Sequence, residues 1–351
     1  MDMRSVLAAI LGLLTALLAF QASADDVADF YRRQRLNLIV GNGTGGGYDV
    51  YARVLARHMS SHIPGNPSII VQNMPGAGGL RAANFIYNVA AKDGTVFGTF
   101  ARHIPLLALI KSNQNVQFDP VKFTWLGSSS TYENDAYLLL VRRDAKIKSV
   151  EEARRPGGPP LILGSTAEGA SSDAMAILVR DWLGFNVRII PGYRDSGALF
   201  LAMERGEVDG RTVGLSAVRS NRPDWLRPNG FTRPLVAFGR ATRHPDFPDA
   251  PLARELARDA EDRNLIEILE IPYQLSRPFT APPGIPPDRA KALQEAFLAT
   301  HKDPSYLADA ERLGIDVSPI GRRDVLGLIE RIAKTPPDQL KRIEKLVTEG
   351  G

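Results

Sequence analysis

The stretch with the clearest chemical character is rich in glycine and lies near the amino-terminal end of the chain. Positions 41–49 read Gly-Asn-Gly-Thr-Gly-Gly-Gly-Tyr-Asp, between an apolar run at 36–40 and a helical pattern. Glycine has no Cβ, so backbone amides in such a loop can approach a bound group closely. The following helix directs free N–H groups and the positive end of its dipole to the same place. The residues predict an anion-binding loop, with these candidate contacts: Gly43, Thr44, Gly45, Gly46 and Gly47.

Other candidates follow the glycine loop or lie at the ends of later strands. Asp49 lies in the first turn of the predicted helix, where its carboxylate either pairs with Arg53 at i+4 or holds the amides of the loop. A direct contact with an anion is disfavoured for Asp49 because like charges repel. Arg102 follows a strand and either attracts an anion or is simply solvated. The remaining candidates are in a second glycine loop (75–79: Gly76, Ala77) and in a third loop of small residues (164–171: Ser165, Thr166, Ala167, Gly169, Ala170, Ser171).

The sequence gives little support for catalysis, a cofactor or a metal. The spacing Gly41-x-Gly43-x-x-Gly46 matches the dinucleotide fingerprint, but that site also needs an acid after the second strand, and positions 63–92 hold none. The chain has no cysteine, which excludes thiolate sites and disulfides. His58 and His62 share a helical face without the glutamate of a zinc-protease motif. We therefore expect a protein that is not an enzyme and uses no cofactor and no metal.

The first 24 residues are predicted to be a secretory signal peptide. An apolar run at 6–20 leads to Ala22-Ser23-Ala24, a small-residue cleavage site. The run is short for a membrane span, which needs about 20 residues; an uncleaved anchor is the alternative. Cleavage near Ala24 would place the mature protein in the periplasm of a two-membrane bacterium or outside the cell. The net charge of +4, without a concentrated basic run, disfavours nucleic acid as a partner.

Beyond residue 36, short apolar strands alternate with helical patterns, which favours an α/β fold with parallel sheets. Ligands of such sheets bind beyond the carboxyl ends of the strands, where the glycine loops fall. The order repeats after a break near residue 128. We predict a first lobe formed by residues 25–127 with 239–351, and a second lobe formed by residues 128–238. A strand at 235–239 is expected to return the chain to the first lobe.

Several segments together resemble the periplasmic substrate-binding receptors of tripartite tricarboxylate transporters, the Bug (TctC-type) family. They occur in the family's order over nearly the whole mature chain: 45–49 with 52–53, 71–79, 92–95, 164–165, 190–193, 206–209, 243–251 and 282–287. The resemblance implies a periplasmic binding protein type II-like fold, with two α/β lobes joined by crossover segments and a ligand cleft between them. It adds Tyr193 and Asp209 to the candidate ligand-binding residues.

The resemblance also implies a function. A receptor of this family captures a small organic acid, of the di- or tricarboxylate kind, by closing its lobes. It then presents the acid to a membrane permease with a large and a small integral subunit. We expect a monomer. A receptor that signals through a sensor kinase stays open as an alternative. Asn42-Gly43-Thr44 stand where the family usually has a proline, so the identity of the acid is left open.

Overall fold

The computed structural model describes residues 26–110, 115–165, 171–193 and 196–348. A helix over residues 26–32 (α1) precedes the first sheet. The elements that follow in chain order are β1 (Arg35–Val40), α2 (Gly47–Met59), β2 (Ser68–Asn73), α3 (Leu80–Asn88), β3 (Val96–Thr99), α4 (Ile104–Ile110) and β4 (Thr124–Ser128).

The first sheet has six strands in the order β11-β4-β10-β3-β1-β2, where β10 is Pro278–Ala281 and β11 is Ile320–Gly321. β1 runs parallel to both β2 and β3, as predicted. β10 runs antiparallel to β3 and β4, so the expectation of a purely parallel sheet is wrong here. The reason is topological: β4 leaves this sheet for the second sheet at the same edge where the chain enters β10 after the helix Ala260–Gln274, so these two neighbouring strands run in opposite directions.

The second sheet has five strands in the order β7-β6-β8-β5-β9. Its elements are β5 (Tyr137–Arg142), α5 (Val150–Ala153), β6 (Leu161–Gly164), α6 (Ser171–Asp181), β7 (Val187–Ile190), α7 (Ser196–Glu204), β8 (Gly210–Gly214), α8 (Leu215–Asn221) and β9 (Thr232–Phe238). β6 runs parallel to β7 and β8, whereas β5 runs antiparallel to β8 and β9. The strand expected to return the chain to the first lobe is β9, and its pairing with β5 places it in the second sheet.

The carboxyl-terminal helices cover both sheets. They are α9 (Ala260–Gln274), α10 (Pro287–Thr300), α11 (Pro304–Arg312), α12 (Arg322–Ala333) and α13 (Pro337–Thr348). α10 and α11 pack on α2, and α12 packs on β4. α13 contacts α4 beside the first sheet and α6 beside the second. Within the ranges described above, every helix is too short or too polar to cross a membrane.

The two sheets are joined by a pair of chain crossings that lie side by side. The first crossing leaves β4 through Ser129 and Ser130, and the second reaches β10 through Ser276 and Arg277. The Ser129 amide donates to the Arg277 oxygen at 2.9 Å, and the Ser276 amide donates to the Ser130 oxygen at 3.1 Å. Because these hydrogen bonds join the two crossings, they form one hinge strip between the sheets.

Candidate functional site

The two amino-terminal glycine loops meet at one edge of the first sheet. The first glycine loop (residues 43–47) follows β1 and is exposed, and the second (residues 75–79), with exposed Gly76 and Ala77, follows β2. A Cβ on Gly41 would lie 3.1 Å from the Cα of Gly79, so the two loops touch backbone to backbone at their bases. The parallel register of β1, β2 and β3 brings these carboxyl ends together.

Asp49 is buried beneath the first glycine loop, with 1% of its surface exposed. Its Oδ2 accepts the Gly45 amide at 2.8 Å and Arg53 Nε at 2.9 Å, and its Oδ1 accepts Asn73 Nδ2 at 2.8 Å. Burial alone would raise the pKa of Asp49, but its hydrogen bonds with Arg53, Gly45 and Asn73 lower it below the usual value. The carboxylate therefore stays charged and is directed at the loop and its supports.

Asn73, at the end of β2, connects the glycine loop to the sheet. Besides Asp49, its Nδ2 donates to the Asn42 oxygen at 2.9 Å, and its Oδ1 accepts Arg53 Nη2 at 2.9 Å. An acid here could not donate to Asp49, and two neighbouring carboxylates would repel. In the sequence, this position argued against a dinucleotide site and lay in one segment of the family resemblance. An amide side chain at position 73, where a dinucleotide site needs an acid, was the sequence signal that Asn73 supports the loop.

Arg102 extends from the segment after β3 towards the second sheet. Its Nη1 donates to the Tyr132 hydroxyl at 2.6 Å, and its Nη2 lies 3.5 Å from Ser171 Oγ at the start of α6. No carboxylate of the described residues lies within 4 Å of the guanidinium. Three tyrosine rings surround it, with centroids 4.2, 5.4 and 5.7 Å from Cζ: Tyr273, Tyr132 and Tyr137.

The charge of Arg102 dominates its surroundings. Burial lowers the pKa of Arg102, but the oxygens of these three tyrosines and of Tyr48 raise it above the usual value, so the group stays protonated. The neighbouring His103 is neutral, because burial and the charge of Arg102 lower its pKa to about 4. Arg102 is thus a cation held between the two sheets without an acid from the described chain.

Arg211, in β8, is a second cation that sequence reasoning missed, and it is more deeply buried than Arg102. It is 2% exposed, and its Nη1 and Nη2 donate to the Ser196 oxygen and hydroxyl, both at 3.1 Å. Burial lowers its pKa to about 10. Among the residues with described positions, no acid pairs with it. The sequence signal that could have identified Arg211 as a candidate was an arginine within a strand predicted to be buried. Both Arg211 and Arg102 act on the hydroxyl of Tyr137, so their charges lie near each other.

The second lobe contributes residues near the carboxyl end of β6. Ser165 Oγ donates to Asp173 at 3.0 Å, and the Ser165 oxygen accepts the Tyr193 amide at 3.2 Å. Ser171 faces Arg102, with its Oγ 3.5 Å from Nη2. The other predicted residues of this loop lie outside the described part of the chain: Thr166, Ala167, Gly169 and Ala170.

Asp209 lies apart from these groups. Its Oδ2 accepts the Ile162 amide at 3.0 Å, and it precedes β8 on the amino-terminal side. It therefore holds β8 against β6, whereas Ser165 and Ser171 lie beyond the carboxyl end of β6.

Tyr48 connects the first glycine loop to Arg102. Its hydroxyl accepts the Arg102 amide at 2.8 Å, and its position in α2 directly follows the loop.

Two α/β lobes, a paired hinge strip and polar groups from both lobes at the ends of parallel strands define a two-lobed solute-binding protein. The sequence model of the family described as tripartite tricarboxylate transporter family receptor (TctC) matches residues 51–349. The chain belongs to this family, as its resemblance in sequence predicted. TctC-family receptors are periplasmic solute-binding proteins rather than enzymes.

Relatives and solved structures agree with this assignment. The chain is 25% identical over 348 residues to a UPF0065 protein of Bordetella pertussis, covering 96% of this chain and 95% of that one. A UPF0065 protein of Agrobacterium vitis is 26% identical over 185 residues, 52% of this chain and 51% of the relative. The match therefore spans about half the length of the second relative.

Two solved structures show the same fold. A TctC solute-binding protein from Polaromonas, without ligand, superposes with a TM-score of 0.68 at 20% identity, covering 90% of this chain and 99% of that chain. An R. palustris protein solved with adipate gives a TM-score of 0.61 at 20% identity, covering 90% and 97%. These likenesses confirm the predicted class of two α/β lobes.

Proposed function

We propose that the protein binds a small organic carboxylate between its lobes and delivers it to a tripartite tricarboxylate-type permease. The observation that carries this proposal is Arg102, a protonated guanidinium between the two sheets with no acid among the described residues around it. Withdrawing an unpaired charge even partly from water is costly, and an anionic ligand would supply the missing partner. The adipate bound to the R. palustris neighbour is an acid of this kind.

In this proposal the acid contacts both lobes. One carboxylate accepts from Arg102 and from the hydroxyls of Tyr132 and Ser171, while the amides of the first glycine loop face the ligand from the start of α2. Gly46 caps α2 without a side-chain hydrogen bond, so it leaves the first-turn amides without that acceptor. Contact with both lobes favours the closed arrangement, because a ligand shifts an equilibrium by its difference in affinity for the two states.

We also propose that the second lobe extends from about residue 128 to about residue 274, beyond the predicted boundary at 238. Residues after β9 make contacts with elements of the second sheet. Ala237 forms a bridge with Leu252, Arg219 pairs with Asp246 at 2.7 Å, and Arg154 donates to the Leu256 oxygen at 2.6 Å. The first lobe then comprises the remainder of the mature chain on either side.

The binding proposal is tested by calorimetry and thermal shift with linear mono- and dicarboxylates of four to eight carbons, citrate and a neutral sugar. We expect at least one acid to raise the melting temperature. Arg102→Gln should weaken that acid about 30-fold or more, since truncating one partner of a buried charge pair has effects of this size. Arg227→Gln, which removes an exposed arginine paired with Asp224, is the control. Wild-type affinity in Arg102→Gln, or stabilisation by the sugar alone, would refute the proposal.

Delivery to the permease is a separate step. After cleavage near Ala24 the receptor would act as a monomer in the periplasm and present the closed, loaded form to the large and small integral subunits. Uptake of the labelled acid by cells should then require both the receptor and the permease. Uptake that persists without the receptor, together with loss of an acid-induced transcriptional response, would favour the sensor-kinase alternative.

A further inference from the structure

We propose that Arg277 is a second anion-binding residue, and that through it the ligand acts directly on the hinge. Arg277 lies on the second crossing, yet its guanidinium reaches the first glycine loop. Nothing in the sequence distinguished this residue. The inference rests on the proposed function, since it assumes an anionic ligand near that loop.

The backbone of Arg277 is fixed to the first crossing. Its amide donates to Ser128 Oγ at 3.1 Å, and its oxygen accepts the Ser129 amide at 2.9 Å. Within its own segment, Nη1 donates to the Ser276 oxygen at 2.8 Å and to Ser276 Oγ at 2.9 Å. A force on the guanidinium is therefore transmitted to both strands of the hinge strip.

The guanidinium lies against the amino-terminal end of α2. Its Cζ is 4.8 Å from the ring centroids of both Tyr48 and Tyr51, and a Cβ on Gly47 would lie 3.3 Å from its Nη2. A cation at this end of a helix opposes the helix dipole. An anion placed at the loop between the guanidinium and the helix amides would be attracted by both.

No acid of the described chain forms an ion pair with Arg277. Its Nε is buried without a hydrogen-bond partner, and no carboxylate with a described position lies within 4 Å. Asp316 is connected to the same region through its backbone oxygen, which accepts the Tyr51 hydroxyl at 2.8 Å. Its carboxylate Oδ2 accepts the hydroxyls of Ser130 and Ser318, each at 2.6 Å, and its Oδ1 is buried without a hydrogen-bond partner.

Tyr48 lies between this cation and Arg102. Its ring packs on Arg277, and its hydroxyl accepts the Arg102 amide. A ligand with two anionic groups can therefore place one at Arg102, where the lobes meet, and the other at Arg277, where the hinge strip reaches the glycine loop. The contact of the ligand's second anionic group with Arg277 increases affinity and also selects for ligands that carry two charges.

The test compares a dicarboxylate with the monocarboxylate of the same chain length, such as adipate with hexanoate. The pair used is the one whose dicarboxylate gives the largest thermal shift with the wild type. Arg277→Gln should weaken the dicarboxylate about 30-fold or more and change the monocarboxylate by less than about threefold. Arg277→Lys, which keeps the charge but loses the planar fork, should fall between. An equal loss for both acids, or no loss for either, would overturn the proposal.

A second variant guards against a folding defect in Arg277→Gln. Gly47→Ala places a methyl group against Nη2 and should reproduce the selective loss. Gly327→Ala is its control, because an added Cβ there has no atom within 4 Å and the residue lies on the exposed side of α12. Small-angle scattering at saturating dicarboxylate should show a smaller ligand-induced compaction in Arg277→Gln than in the wild type; an unchanged compaction would contradict the link to the hinge.

The two proposals fail in different ways. If the wild type binds no acid of the panel, the proposed function is wrong, and this inference falls with it. If the wild type binds an acid and Arg277→Gln binds it equally well, only the role of Arg277 is wrong.

Discussion

Replacing Asp49 tests whether the first glycine loop is held from beneath rather than by the ligand. The carboxylate accepts three hydrogen bonds, from Gly45, Asn73 and Arg53. Asp49→Ala leaves all three donors without this acceptor. Asp49→Asn keeps the shape and one acceptor oxygen but removes the charge, so the two variants separate the geometric part of the effect from the electrostatic part.

The expected loss in the free energy of unfolding depends on how deeply each donor is buried. A hydrogen bond to a buried charged group contributes about 1.5–3 kcal/mol. The Arg53 side chain is 44% exposed, so its contribution is discounted to less than about 1 kcal/mol. The bonds from Gly45 and Asn73 therefore dominate. We expect Asp49→Ala to lower the free energy of unfolding by about 3–5 kcal/mol and Asp49→Asn by about 1–2 kcal/mol.

The assay is denaturant unfolding, with hydrogen exchange of the amides at 43–49 as the local measurement. The folded pKa of Asp49 is lowered, so its contribution to stability is present above its unfolded pKa of about 4 and is lost as the pH falls through the folded pKa. The difference between wild type and Asp49→Asn should therefore shrink below about pH 4. A loss of less than about 1 kcal/mol in Asp49→Ala, with unchanged exchange at Gly45, would refute the reasoning. Asp29→Asn, in an exposed pair with Arg32, is the control.

Substitutions away from the site test the packing. Gly127→Ala should destabilise by about 2–3 kcal/mol in thermal unfolding, because a Cβ would lie 2.4 Å from a backbone oxygen of β11; unchanged stability would contradict this contact. Gly327→Ala should instead stabilise by about 0.5–1 kcal/mol, since it removes a glycine from an open helix position; a lower melting temperature would contradict it. Arg254→Met should lower the free energy of unfolding by about 3–5 kcal/mol in denaturant, because it leaves Glu270 buried without its cation. Adding Glu270→Leu should restore the stability of the wild type. A double variant as unstable as Arg254→Met would count against this cause.

Local sequence patterns predicted many of the individual strands and helices. The apolar run at 36–40 is β1 (Arg35–Val40), and the helical pattern that follows the first glycine loop is α2 (Gly47–Met59). The partners of β9 and β10 were not predictable in this way. A strand buried on both faces has the same apolar run whether its neighbours are parallel or antiparallel, and its partner lies far away in sequence. The errors in sheet direction and in the place of β9 have this single cause.

The same limit applies to the candidate site. The glycine loops were visible because local backbone geometry demands glycine, and the amide of Gly45 is bonded to Asp49, only four residues along the chain. The surroundings of Arg102 were not visible, because its tyrosines come from elements scattered over the chain: Tyr48, Tyr132, Tyr137 and Tyr273. Only the fold brings them together.

The unpaired arginines also suggest why closure would depend on the ligand. In a closed, empty cleft, Arg102 and Arg277 would hold two positive charges away from water without acids, so hydration favours opening. A dianionic ligand reverses this balance. Hydrogen bonds between ionised partners contribute about 2–3 kcal/mol each, so two such pairs supply up to about 5 kcal/mol, of which only the part gained on closure shifts the equilibrium. Moving an equilibrium from about 1:99 to 99:1 requires about 5.5 kcal/mol. Two cations, one at the meeting of the lobes and one on the hinge, are thus close to the number that ligand-driven closure needs.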